Sequence, residues 1–438
     1  VLALVVGLQL GAAPAAKAED AVLVWNEIAV NTAIANAANP FQQARYAAIA
    51  QLAVFEAVNA ITRDYEPYLF QNGEPVVVAP DGASASAAAI AAAYRVLWTY
   101  FAGPPGAPTP SAAVLNAARA NSLAAIPDGQ GKEDGIAVGE AAAAAMIALR
   151  SADGSSPPAF HEPGPATIGV WQPTPSCPVN PATQLQRGVF LHWRNVTPFG
   201  IPGVADFMPE PPPALTSNRY LKDYNEVRRV GVSGDTADRP LDRATVANFY
   251  ASTSPAQLLN SAARQLAIAE GHTLSQNART LALVNMASSD SLVVSFATKY
   301  HYLYWRPETA IRAGESDGIA KTVGDPSFTP FILTPCFPSY PSNHASGTNG
   351  GTEVLRRIFG EGGHDLSFTN ASLGVTLHYT TLHQIANDVD DARVYGGIHY
   401  RFDQEAGNRL GRAVATYVYK NKSSEGERRK LKRQTAAK

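Results

Sequence analysis

The sequence predicts an all-α protein of helical bundles, arranged as two four-helix-bundle-like halves with a long Pro/Gly-rich covering loop. Three observations carry that prediction. Apolar residues recur at three- and four-residue spacing through most of the chain, alternating strand patterns are scarce, and no short-period repeat is present. An apolar fraction of 46% over 438 residues suits one large core or two ordinary ones.

The elements follow in order. Residues 1–18 carry an apolar stretch and the small-residue site Ala16-Lys17-Ala18, the pattern of a signal-peptide remnant, and predict a secreted or periplasmic protein. Residues 20–151 read as an N-terminal helical region. In "NPFQQARYAAIAQLAVFEAVNAI", Asn39 is a candidate N-cap and Pro40 occupies the first helical position. Further helices fall at "SASAAAIAAAYRVLWTYF", "SAAVLNAARANSLAAI" and "GIAVGEAAAAAMIALRSA".

Residues 152–215, with "EPGPATIGVWQPTPSCP" and "MPEPPPAL", are too long for an ordinary connection. Their Trp171, Trp193, Phe199 and Phe207 predict an ordered covering loop rather than a linker. Residues 216–420 form the C-terminal helical region. Its helices are "SNRYLKDYNEVRRVG", "SPAQLLNSAARQLAIAEG" and the spans 275–305, 344–359, 366–388 and 398–419. Residues 421–438 are a basic tail expected to be solvated.

The last stretch, "KNKSSEGERRKLKRQTAAK", holds eight Lys/Arg, which leaves 27 basic against 35 acidic residues elsewhere. So mildly acidic a body argues against a nucleic-acid surface. After the N-terminal stretch, charges or prolines interrupt every long apolar run, so no membrane partner is expected. Cys177 and Cys336 are compatible with one bridge in an oxidising compartment, but their spacing does not say whether they meet.

Three segments concentrate anion-binding groups. "KYHYLYWRP" sets Lys299 and Arg306 seven residues apart. On a continuous helix that spacing puts both cations on one face, about 20° out of register. Aromatic neighbours make the pair buried, and buried cations need an anion. In "PSYPSNHASGTNGG", Pro338 and Pro341 fix the backbone and Ser342 stands at an N-cap position. The small residues that follow admit another backbone or a ligand, and free N–H groups with the helix dipole make an anion site. His344 is placed to move a proton there. In "ARVYGGIHYRFD", His399 and Asp403 at i and i+4 share a helical face, so the carboxylate can orient the ring. Arg393 falls before that helix and reaches back.

Together, "KYHYLYWRP", "PSYPSNHA" and "ARVYGGIHYRFD" resemble the three-part signature of the vanadium-dependent haloperoxidases and the related type 2 phosphatidic acid phosphatases. The signature spans about residues 296–407, and "VWNEIAV", "FEAVNAI" and "VWQPTP" are weaker upstream echoes. The resemblance implies that Lys299, Arg306, Arg393, Ser342 and the backbone N–H of Asn343 hold a vanadate or phosphate. It makes His399 the metal ligand or, in a phosphatase, the nucleophile. His344 becomes the acid–base group, Asp403 the orienter of His399, and Phe337 a wall on the halide side.

Two positions depart from the family. Asn343 stands where Gly is usual, and Phe296 stands where the fungal-type chloroperoxidases have Trp, which leaves halide preference open.

The favoured expectation is vanadate-dependent oxidation of bromide or chloride by hydrogen peroxide. The alternatives are a soluble secreted acid phosphatase acting on a phosphate ester through a phosphohistidine, and a non-catalytic oxyanion-binding protein. Asp290, Asp317 and Glu308 are unranked candidates to partner His344. His378 and His383, five apart on an expected helix, read as core or surface histidines rather than metal ligands. The three Asp of "NDVDDARVYGG" read as helix-end charges for Arg393 or Arg401.

Overall fold

A computed structural model describes residues 19–422 and 424; the expected signal remnant and the rest of the basic tail lie outside the described residues. The fold is all-α apart from two small hairpins. Its first half holds α1 (Ala21–Ala35), α2 (Pro40–Thr62), β1 (Phe70–Gln71), β2 (Glu74–Pro75), α3 (Ala85–Phe101), α4 (Pro110–Ala124) and α5 (Gln130–Leu149). Its second holds α6 (Asn218–Val230), α7 (Leu241–Ser252), α8 (Pro255–Ala269), α9 (Leu274–Tyr302), α10 (Pro307–Ala313) and α11 (Asn343–Phe359). The hairpin β3 (Gly362–Asn370) and β4 (Val375–Thr381) follows, then α12 (Leu382–Val394) and α13 (Arg401–Asn421).

The helix ends obey local chemistry. Asn39 accepts from the N–H groups of Phe41 and Gln42, and Gln42 reaches back to the Asn39 N–H, a reciprocal cap in front of Pro40. Thr273 and Gln276 repeat the device at the start of α9. This 29-residue helix is buried on nearly every side, as expected of a helix apolar all round. By length and composition it could cross a membrane, but 94% of its most apolar window is enclosed by the rest of the protein. It packs on α2 and α8 on one side and α11 and α13 on the other, so one core runs from Ala21 to Val418 through both halves.

The small residues after Ser342 serve helix packing. A Cβ on Gly350 would lie 2.8 Å from the Ala287 carbonyl oxygen of α9, so α11 seats against its neighbour only without a side chain there.

The sequence expectation fails at residues 366–388, where a helix was expected and the hairpin β3–β4 stands before α12. Leu366, Phe368 and Tyr379 alternate as buried residues along the two strands, with Leu366 paired to Tyr379. Period-two patterning and β-branched residues outweighed the coarse helical reading. His378 is therefore on a strand and His383 on a helix, and no group of three potential ligands for a metal ion occurs among the described residues. Helices α1, α7 and α10 were also missed in the sequence.

The Pro/Gly-rich segment carries only the short 3-10 turns Leu191–Asn195 and Ala205–Phe207, yet Trp171 and Trp193 are each 1% exposed. Three ties hold it. Cys177 is disulfide-bonded to Cys336. The Trp171 N–H donates to the Leu303 carbonyl and the Trp305 N–H to that of Gly169. The buried Asp290 carboxylate of α9 accepts from the N–H groups of Phe199, Gly200 and Ile201 at 2.7, 2.6 and 3.1 Å. Asp290→Ala would strand three buried donors and is expected to cost about 3 kcal/mol in urea unfolding. A loss below about 1 kcal/mol would contradict this anchoring.

Candidate active site

The three anion-binding segments meet where the N-terminus of α11, the C-terminal ends of α9 and α12, and the start of α13 come together. Lys299 lies in the last turn of α9 and is fully buried. Its Nζ donates to the carbonyls of Pro338 and Ser339 at 2.8 and 2.6 Å, leaving one of its three protons unused.

Arg306 does not share that helix, contrary to the one-face expectation. The helix ends at Tyr302, Leu303 adopts a left-handed conformation at φ 50°, and Arg306 caps α10. The two cations still converge, because the chain turns back on itself: both lie over the Phe337 ring, at 5.3 and 5.1 Å from its centroid. Arg306 Nε donates to the Phe337 carbonyl, and Nη1 to the Ile398 carbonyl and to His399 Nε2 at 3.0 Å.

Arg393 sits in the last turn of α12, where Nη1 donates to the Tyr250 carbonyl. Gly397, at φ +80°, ends the turn that follows and sends the chain into the site. His399 thus precedes α13, whose N-cap is Tyr400, rather than sharing a helical face with Asp403. The pair forms nonetheless, because Asp403 is at the third helical position, where a side chain reaches back. Its Oδ2 lies 2.7 Å from His399 Nδ1 and accepts from the Tyr400 N–H at 3.1 Å. With Nδ1 as the donor to a carboxylate, Nε2 carries the lone pair that accepts from Arg306 Nη1 on the cage side.

Ser342 caps α11, accepting from the Ala345 N–H at 3.4 Å while its own proton stays available to donate. Asn343 takes an ordinary helical conformation. Its Oδ1 accepts from Ser295 Oγ at 2.6 Å, which turns the side chain toward α9 and leaves the N–H groups of the first helical turn without helical acceptors. His344 is half-buried. None of Asp290, Asp317 and Glu308 is its partner. Asp290 holds the covering segment, Asp317 accepts from Ile319 and Thr322, and Glu308 pairs with Arg312. The backbone of Tyr250 and Thr253 adjoins the ring instead. Of the aspartates before Arg393, Asp391 pairs with Arg401 and Arg243, and Asp388 with Arg243.

Electrostatics favour an anion at the centre. Burial, then Arg306 and the other cations, holds the Lys299 ammonium well below its usual range. Burial pushes Arg306 and Arg393 down to about 9 and about 10, still above neutrality, so both stay cationic. His399 and His344 are held well below the usual imidazole range by burial and then by these cations, so both are neutral at physiological pH. Burial pushes the Asp403 carboxyl up, against the hydrogen bond from Ser339 and the pull of Lys299 and Arg306. Arg306 Nη2 and Arg393 Nε are buried with no partner. A donor so enclosed is costly unless an acceptor arrives. This set of cations, N–H groups and a neutral imidazole fits a tetrahedral oxyanion such as vanadate or phosphate.

Residues 279–425 match the family model for the VCPO second helical-bundle domain. The site-bearing domain is thus similar to the second helical-bundle domain of that family. The rest of the chain follows the same haloperoxidase fold. A bacterial vanadium-dependent iodoperoxidase superposes with TM-score 0.74 at 22% identity, covering 94% of this chain and 97% of its own. A bacterial vanadium-dependent chloroperoxidase in its apo form superposes with TM-score 0.66 at 13% identity, covering 86% and 92%. Its holo form gives TM-score 0.63 at 14% identity, covering 87% and 92%. No curated protein sequence matches the chain.

Two features of this site go beyond the sequence reading. Phe296 is fully buried behind Phe337, ring centroids 5.4 Å apart, and so backs the wall rather than forming it. Ser339, the first serine of "PSYPSNHA", donates to Asp403 Oδ2 at 2.6 Å. A donor to a carboxylate lowers its pKa, so Ser339→Ala is expected to raise that of Asp403 and move the acid limb of the activity profile to higher pH. An unmoved limb at reduced turnover would mean that Ser339 only fills space.

Proposed function

We propose that the protein is a vanadate-dependent haloperoxidase that oxidises a halide with hydrogen peroxide. The reading rests on one observation above all: Lys299, Arg306 and Arg393 enclose a common point with two imidazoles, and Arg306 Nη2 and Arg393 Nε are buried there without partners. Bound vanadate supplies Lewis-acid activation of peroxide toward halide. The chain supplies the rest. Lys299, Arg306, Arg393, Ser342 and the Asn343 N–H would hold the vanadate oxygens, and His399 Nε2, its tautomer set by Asp403, would be the ligand to the metal. His344, neutral and therefore an acceptor, would take a proton from hydrogen peroxide at the pocket floor. Phe337 covers Lys299 and Arg306 and excludes water from the cationic face.

A phosphatase would use the same cage, with His399 Nε2 as nucleophile and a protonated His344 as acid. The similarity of residues 279–425 to the VCPO second helical-bundle domain favours the peroxidase. The two readings and simple oxyanion binding are separated by one comparison. Protein loaded with vanadate is given peroxide with iodide, bromide or chloride, and monochlorodimedone loss is followed beside vanadate-free hydrolysis of p-nitrophenyl phosphate. Halide-dependent loss is expected. Ester hydrolysis abolished by vanadate, with no halogenation, would establish the phosphatase instead; tight vanadate binding with neither would leave a binding protein.

A further inference from the structure

Above the cage lies a chamber of about 350 Å³. Its only polar lining residues are Asn343, His344, Arg393 and His399, all at the cage; every other wall is apolar, including Phe41, Phe190, Phe337, Leu292, Ile332 and Leu333. Halide and peroxide need no such chamber, since a water-sized molecule occupies roughly 30 Å³. A dry apolar cavity of about 150 Å³ is enough for benzene. The chamber therefore has the volume for about two rings and the lining of an aromatic site. Phe41 already stacks edge-on to Phe190 at 5.1 Å and lies 6.1 Å from Phe337. Leu333, 77% exposed, extends the apolar surface outward.

Phe190 also lines a second cleft, of about 380 Å³, on whose walls stand Arg45, Tyr46, Tyr100, Arg150 and His192. Phe190 is thus common to the walls of this cleft and of the inner chamber. It is held at φ 64°, a conformation an aromatic residue rarely adopts.

We propose that the inner chamber binds an electron-rich aromatic acceptor of about two rings beside the cage, and that Phe190 sets its size limit. Binding needs only the chamber; the fate of the acceptor rests on the haloperoxidase reading. There a carbon–halogen bond replaces a ring C–H bond and halide gives two electrons to hydrogen peroxide. The ring proton and one from solvent leave with the peroxide oxygens as two waters.

The test is calorimetric titration of the full chain, without vanadate, with 2-naphthol and with the three-ring 9-phenanthrol. Wild type is expected to bind 2-naphthol saturably and 9-phenanthrol at least about tenfold more weakly. Phe190→Ala should erase that preference, with Phe190→Leu as a milder variant should alanine disturb folding. Absence of saturable 2-naphthol binding, or an unchanged ratio in a folded variant, overturns the inference. Because no vanadate is present, failed binding beside intact monochlorodimedone halogenation defeats this inference alone, and intact binding without halogenation defeats only the haloperoxidase reading.

Discussion

His399→Ala is expected to cut turnover by about 10³-fold or more, a larger loss than removal of a single charge-stabilising donor. The ring it deletes turns Nε2 toward the cage, and three neighbours hold it in that orientation. Asp403 holds Nδ1 at 2.7 Å, Ser339 holds Asp403, and Arg306 Nη1 contacts Nε2 at 3.0 Å. The fold should survive, because Asp403 keeps the Ser339 hydroxyl and the Tyr400 N–H. Steady-state turnover beside thermal unfolding checks both halves of the statement. A folded variant retaining a tenth of wild-type turnover would remove His399 from the chemistry.

Loading the cage with an oxyanion is expected to raise thermal stability, and the effect should depend on Arg393. Three cations sit here with one carboxylate, Asp403, and two guanidinium nitrogens have no acceptor. An anion that binds only the folded chain, at 100 times its Kd, adds about 2.7 kcal/mol. Arg393→Met removes a charge-assisted contact worth about 1.5–3 kcal/mol, which is a 10- to 150-fold weaker Kd for vanadate or phosphate. Calorimetric melting with and without each anion reads both quantities. A melting temperature indifferent to vanadate and phosphate, or an Arg393→Met variant with unchanged Kd, would mean that the cations serve the fold and not a ligand.

Much of the site was legible because its chemistry is local. Ser342 reads as an N-cap from its prolines and small neighbours, and it caps α11. Asp403 is four residues from His399, within reach under more than one backbone conformation, so the pair forms even though its expected helical geometry is absent. Lys299 and Arg306 were brought together by a mistaken argument. Helical phase did not join them; a left-handed Leu303 did, and no periodicity announces a helix end inside an aromatic run. The hairpin at 362–381 was legible in principle, through the alternation of Leu366 with Phe368, but was overridden by the helical background.

By itself the sequence determined the all-α class, the capped starts of α2 and α11, and the identity of the cations and imidazoles of the candidate site, since each depends on residue type and short-range spacing. The tertiary structure alone decided which groups share the cage, that Asp290 anchors the covering segment instead of serving His344, that Cys177 meets Cys336, and that Phe190 lines two cavities. The partners of Asp290 and Cys177 lie 89 to 159 residues away in the chain, and nothing in local backbone energetics records a contact made only when a shared core folds.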